Sequence, residues 1–247
     1  MIIHIGYPKT GTTFLQKCVF PEIKGITYHD YDECLKLFTP LFTRNTIGWW
    51  FSGLYLKGNH ELYSLERLSG ELGTGMFNYE IAGRLHDIGF KKVIICTREK
   101  EAWIPSIYKQ YIQQGGTLKY KSWLSNERFF QDSYADHNLL VSVYKRIFGN
   151  KNVLVIKHEN LISCPQITVS LIADFCGGSI GEVNNRVVNK SLSGISIKIL
   201  RFMNHFTANY YRPTSIFGRH FTTWKIRSFL QFITIWLCCV ANTEPRK

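Results

Sequence analysis

The last quarter of this chain is nearly devoid of acid. Residues 184–247 hold ten Lys or Arg and one carboxylate, Glu244, whereas residues 1–183 hold twenty basic and seventeen acidic side chains. Most of the net charge of +12 therefore sits at one end, and the partner such a segment suits is an anionic one. No C-x-x-C pair occurs among the seven cysteines, and only Cys238 and Cys239 are adjacent. That argues against a zinc site or a disulfide framework and for reduced thiols in a cytosol. No long apolar run is present. The longest, 229–241, is broken by Gln231 and Thr234 and falls short of the ~20 residues a spanning helix needs. No basic and apolar leader precedes Ile2-Ile3-His4-Ile5, so a cytoplasmic location is expected. No Gly/Ser linker, internal repeat or low-complexity block divides the 247 residues. A single domain over 1–247 is the expectation, with 196–247 its basic, aromatic-rich C-terminal helical segment.

What is present is an alternation of short apolar strands and helices. Strands are expected at 2–5, 26–28, 75–79, 92–96 ("KVIIC") and 153–156 ("VLVI"). Helices are expected at 12–20 (ended by Pro21), 81–88, 101–114, 139–148 and 167–176, with glycines closing four of them. Residues 31–72 read as mostly helical or irregular. The pattern predicts an α/β fold with a parallel central sheet covered on both faces.

The first strand runs into His4-Ile5-Gly6-Tyr7-Pro8-Lys9-Thr10-Gly11-Thr12-Thr13. Gly6, Gly11 and Thr13 match G-x-x-x-x-G-K-[ST], the phosphate loop. Thr12, however, occupies the lysine's place, and the lysine has moved back to position 9. A glycine-bearing turn between strand and helix offers backbone N–H groups and a helix dipole to an anion. A lysine within the loop places its ammonium where charge appears on a leaving oxygen.

Tyr7–Leu15, "YPKTGTTFL", resembles the 5′-phosphosulfate loop, P-K-[ST]-G-T-[ST]-x-L, of the sulfotransferases that use 3′-phosphoadenosine 5′-phosphosulfate (PAPS). A second element, Arg98 after strand 92–96 with Ser106 eight residues on, resembles that family's 3′-phosphate motif; a guanidinium and a hydroxyl suit a doubly charged phosphate. Glu99-Lys100 departs from the Asp-Pro or Asn-Pro that often follows this arginine. Weaker echoes are the strand-Glu-x-Leu-helix segment from Asn152 and "VNKSLSG", where Lys190 could approach the 3′-phosphate. The resemblance covers roughly residues 1–195.

It implies a P-loop-like three-layer fold and a transferase that moves a sulfuryl group from PAPS, as co-substrate, to an acceptor hydroxyl by in-line transfer without a metal. Implied donor-binding residues are Lys9, Thr10, Gly11, Thr12, Thr13, Arg98 and Ser106, with Lys9 also catalytic. The base is expected to be Glu80 in "GMFNYEIAG", at the end of the 75–79 strand. Favouring its helix's N-terminus is the plainer reading of that carboxylate. His86 is the alternative base, and His29 and His60 are more distant candidates. A glutamate base points to a carbohydrate or glycolipid acceptor.

Trp49, Trp50, Phe51 and Tyr55 read as core before acceptor platform. The basic aromatic tail fits packed helices, a glycan groove or contact with the inner membrane surface; it carries no nucleic-acid reading motif. Two other function classes stay open: a P-loop kinase or triphosphatase, and a non-catalytic nucleotide-binding protein.

Overall fold

In the computed structural model, the described residues are 1–42, 56, 58–70, 78–126, 132–183 and 192–207. They divide into two compact units, Met1–Trp103 with Glu127–Val188 and Ile104–Asn126 with Asn189–Lys247.

The first unit is built on five parallel strands: β1 (Ile2–Gly6), β2 (Thr27–His29), β3 (Glu61–Ser64), β4 (Lys92–Thr97) and β5 (Val153–Lys157). Their order is β2-β3-β1-β4-β5. β1 is buried along its whole length, as a central strand covered on both faces must be. It pairs Ile2 with Leu62 and His4 with Ser64 on one side, and Ile2 through Gly6 with Lys92 through Cys96 on the other. The chain leaves β1 to one side for β2 and β3, then crosses to the other for β4 and β5. The reversal falls at the C-terminal end of β1, where open α/β sheets collect ligands.

The helices that come before β4 are α1 (Thr12–Phe14), α2 (Tyr31–Phe42) and α3 (Asn78–Asp87). After β4 come α4 (Lys100–Gln113), α5 (Tyr120–Leu124), α6 (Asp132–Ala135), α7 (His137–Phe148), α8 (His158–Ser163), α9 (Pro165–Cys176) and α10 (Gly194–Met203). α7 packs on β4 and β5, and α8 and α9 pack on β5. One core cluster joins Leu15, Val19 and Phe20 to Ile94, Ile156, Val169 and Ile172. Asp136 caps α7, its carboxylate accepting from the amides of Asn138 and Leu139, as an N-cap aspartate should.

The parallel α/β architecture agrees with the pattern read from the chain; three local expectations need correction. The helix expected at 12–20 is α-helical only through Phe14, widens to a π-turn over Leu15–Val19 and tightens to a 3-10 turn over Phe20–Glu22. Pro21 has no amide to return to the carbonyl of Lys17, so regular α geometry cannot continue through it. Asn78 and Tyr79, expected to end a strand, begin α3; residues 75–77 lie outside the described set. Strand β3 was hidden within 31–72. It is four residues long and only Leu62 and Tyr63 are apolar, so its register beside β1 is fixed by tertiary pairing rather than by its own pattern.

In the second unit the side-chain amide of Asn204 donates to the carbonyls of both Ile112 and Gly116, each at 2.8 Å, while the Tyr111 hydroxyl accepts from the amides of Thr117 and Leu118. These bonds satisfy the polar groups at the end of α4, which a buried turn requires. Trp49, Trp50, Phe51, Tyr55, Lys190 and residues 208–247 lie outside the described set. Among the described residues no helix is long and apolar enough to cross a membrane.

Candidate active site

The loop after β1 is held from below by aromatic side chains. Tyr7 is buried and stacks on His137, ring centres 3.7 Å apart and planes 18° from parallel. Trp103 and Tyr134 pack against the same ring. The Trp103 indole N–H donates to the Pro8 carbonyl at 2.8 Å, and the amide of Tyr7 donates to the Cys96 carbonyl at 3.2 Å. A loop so fastened keeps its shape without a ligand, the arrangement that makes an anion site inexpensive to occupy.

Its backbone can present N–H groups to an anion. Lys9 is left-handed, with φ of 65°, and Gly11 has φ of 91°. Left-handed residues in such a turn bring successive N–H groups round to one side. The amides of Thr12 and Thr13, at the start of the helix, have no intrahelical acceptor by construction. The φ of Gly11 calls for glycine, and its neighbours leave little room for a side chain. A Cβ there would lie 3.0 Å from Leu161 Cδ1 and 3.3 Å from His158 Cδ2. At Gly6 a Cβ would come 2.9 Å from Cys96 Cβ and 3.0 Å from Thr12 Cγ2.

The threonine hydroxyls divide. Thr10 is fully buried and donates to the Tyr7 carbonyl at 2.6 Å. Thr12, 2% exposed, donates its hydroxyl hydrogen to Glu66 Oε2. Thr13 is partly exposed beside them, and Lys9 is exposed. Arg98 follows β4, and its Nη1 donates to the carbonyl of Lys9 at 3.0 Å. Its amide donates to His137 Nδ1 at 3.3 Å. Burial lowers the pKa of this guanidinium, and the charge of Glu159 works the other way. The arginine thus lies against the peptide that carries Lys9. Ser106 lies on α4, half-buried, in the part of that helix assigned to the second unit.

Glu66 is the residue that the chain's pattern did not reveal. It opens a 3-10 turn, Glu66–Ser69, just beyond β3. Burial pushes its carboxyl pKa above the usual range, against the Thr12 hydrogen bond and the charges of Lys9 and Arg67, which pull it down. A carboxylate on the strand-end rim, in reach of the loop's lysine, has the setting of a general base. Its signal in the chain was weak because the strand that presents it was not visible.

Glu80 is exposed in the first turn of α3, where a carboxylate favours the helix dipole. His86 is exposed and lies 3.9 Å from Asp87. His29 stacks on Tyr63 and contacts Glu33 and Glu61; His60 is exposed. The described cysteines, Cys18, Cys34, Cys96, Cys164 and Cys176, are free thiols. Burial pushes Cys34 and Cys176 up to about 12. No group of three or more His, Cys, Asp or Glu able to hold a metal occurs among the described residues.

Two histidines under the site are kept neutral. His4, fully buried, contacts Ser64 Oγ at 2.7 Å and Cys96 Sγ at 3.3 Å, and burial lowers its pKa to about 3. Burial likewise lowers that of His137 to about 4. Groups whose pKa is depressed by folding bind protons better when unfolded, so their contribution is whole above the unfolded value and is lost as pH falls below it. Between pH 7 and pH 5 each should cost roughly 2 kcal/mol of stability. Urea unfolding at the two pH values measures this, and His4→Gln should remove about half of the difference.

No family model matches the sequence, and no curated protein matches it either. The fold does find matches. A sulfotransferase from Alicyclobacillus acidocaldarius superposes with a TM-score of 0.56 at 17% identity, over 81% of this chain and 90% of that one. The mouse sulfotransferase SULT7A1, complexed with PAP, gives a TM-score of 0.48 at 18% identity, over 82% of this chain and 64% of that one.

Proposed function

On a chain that has the sulfotransferase fold, we propose a PAPS-dependent sulfotransferase whose acceptor is a hydroxyl of a carbohydrate or glycolipid. The observation that carries this reading is the left-handed Lys9 in a preformed anion cradle, with the Glu66 carboxyl bonded to the same loop.

The loop amides and the Thr13 hydroxyl receive the 5′-phosphosulfate. Lys9 stabilises the bridging oxygen as it leaves. Arg98 supplies the charge for the 3′-phosphate; Ser106 keeps that role from the motif alone. The acceptor oxygen attacks sulfur, the bond from sulfur to the bridging oxygen breaks, and its electron pair stays on the 5′-phosphate. The acceptor's proton passes to a carboxylate. Glu66 is favoured for that step over Glu80 because it is half-buried where Glu80 is exposed, and already bonded to the loop. A cytoplasmic setting, suggested by the free thiols, and contact of the basic C-terminal segment with a membrane surface belong to the same proposal.

The loop favours this reading over a kinase or triphosphatase. At the position where a phosphate loop carries its lysine, Thr12 is buried with its hydroxyl on Glu66. Calorimetry with the 3′,5′-bisphosphate product in EDTA tests the choice. Micromolar binding that magnesium leaves unchanged is expected; tighter, magnesium-dependent binding of ATP would sink the proposal. Transfer of labelled sulfate from PAPS to a panel of neutral glycans separates an enzyme from a binding protein.

A further inference from the structure

We propose that Thr12, beyond any part in donor binding, is the residue that positions Glu66 as base, so that the donor's loop orients the carboxylate before an acceptor arrives. The proposal rests on the sulfuryl-transfer reading for its kinetic part only.

A threonine hydroxyl has one proton to give. In Thr12 that proton goes to Glu66 Oε2, and the side chain is 2% exposed. The bond joins the first residue of α1 to the first residue after Leu65 beyond β3, two segments that meet only because β1 and β3 are paired. It therefore fixes the carboxylate relative to Lys9, three residues before Thr12 in the same turn.

The titratable groups around Glu66 can be named. Lys9 on the loop and Arg67 on its own turn favour its charged form, as does the Thr12 hydroxyl. Tyr134 on α6 and the Cys96 thiol on β4 also feel its charge, and both are neutral near pH 7 because burial pushes them far up. Burial of Glu66 is the opposing influence. The hydroxyl thus favours the charged form beside Lys9 and Arg67, and does so without a charge of its own. Removing a hydrogen bond to an ionised group withdraws support from its charged form.

The test reads the carboxylate directly and then its consequence. Full-length protein labelled with ¹³C at glutamate carboxyls is titrated by NMR, the Glu66 signal assigned by its loss in Glu66→Gln. Thr12→Val should raise the Glu66 pKa by about one unit, and Thr12→Ser should leave it within about 0.3. Thr12→Ala gives the same reading should the valine variant not fold. The kinetic arm uses PAPS with water as acceptor. Water oxygen attacks sulfur, the sulfur–bridge bond breaks, the electron pair leaves on the 5′-phosphate and the proton goes to Glu66. The acid limb of the kcat profile should move up by the same unit in Thr12→Val, with KM for PAPS within about threefold, and serine should restore it. An unmoved Glu66 pKa overturns the proposal. So does a tenfold rise in KM with the acid limb in place, which would leave Thr12 a donor ligand alone. If the wild type neither binds the 3′,5′-bisphosphate nor hydrolyses PAPS, sulfuryl transfer itself fails, while the NMR arm still decides whether Thr12 governs Glu66.

Discussion

Lys9→Gly should yield a protein that melts higher and transfers almost nothing. Lys9 holds φ of 65° without being glycine, and a left-handed conformation costs an ordinary residue ~1–2 kcal/mol. Glycine adopts it freely, though its looser unfolded chain gives back part of the gain. A net rise of up to about 1 kcal/mol, or roughly 2–4 °C in Tm for a chain of this size, is expected. The same change removes the ammonium and should lower sulfuryl transfer by ~10²–10³. Lys9→Ala separates the two effects: it should lose the same activity while the melting temperature stays near that of the wild type. The Arg98 bond to the Lys9 carbonyl involves only the backbone of residue 9 and survives both changes. Transfer that persists in either variant would remove Lys9 from the chemistry. An unchanged Tm in Lys9→Gly would mean that the turn carries no strain.

Glu66→Gln should abolish turnover and spare the donor. A positioned base contributes ~10²–10⁴ in rate, so activity should fall by that factor while affinity for the 3′,5′-bisphosphate changes little. Because folding raises the Glu66 pKa, the charged form is disfavoured in the native state and is destabilising at pH values above it. The neutral glutamine should then be at least as stable as the wild type at pH 7, as expected where a charge is kept for its chemistry rather than its packing. The acid limb of the rate profile should lie above the ordinary carboxylate range. Glu80→Gln is the matched comparison. An exposed carboxylate in the first turn of α3 contributes ~0.3–1 kcal/mol through the helix dipole. Its loss should appear in stability and leave the rate standing. The opposite pattern, an active Glu66→Gln and an inert Glu80→Gln, would exchange the two assignments.

What the chain disclosed in advance follows from how local each signal was. "KVIIC" and "VLVI" are runs of buried β-formers, and they are strands in the structure. The loop from Tyr7 to Thr13 carries its pattern in consecutive residues, so the turn between β1 and α1 was open to view. Glu66 was not, for two linked reasons. It follows a four-residue strand with two apolar positions, and its hydrogen bond is to Thr12, fifty-four residues earlier. No periodicity reports a contact of that span. A strand was expected at 75–79 because Phe77 and Tyr79 are β-formers, whereas Asn78 and Tyr79 belong to a helix that packs on the turn beginning at Glu66. Local propensity gave way to tertiary packing there.

The central place of β1 has a consequence for the order of assembly. Its ladder partners are Leu62 on one side and Lys92 on the other, so no hairpin with a near neighbour can hold it. Contacts between such distant parts of a chain close slowly. During synthesis the first strand must wait, unpaired and apolar, until the ribosome has delivered the third, and its other edge stays open until the fourth arrives. The anion cradle takes shape only when that wait ends, and a nascent chain truncated before residue 92 should remain a client for chaperones.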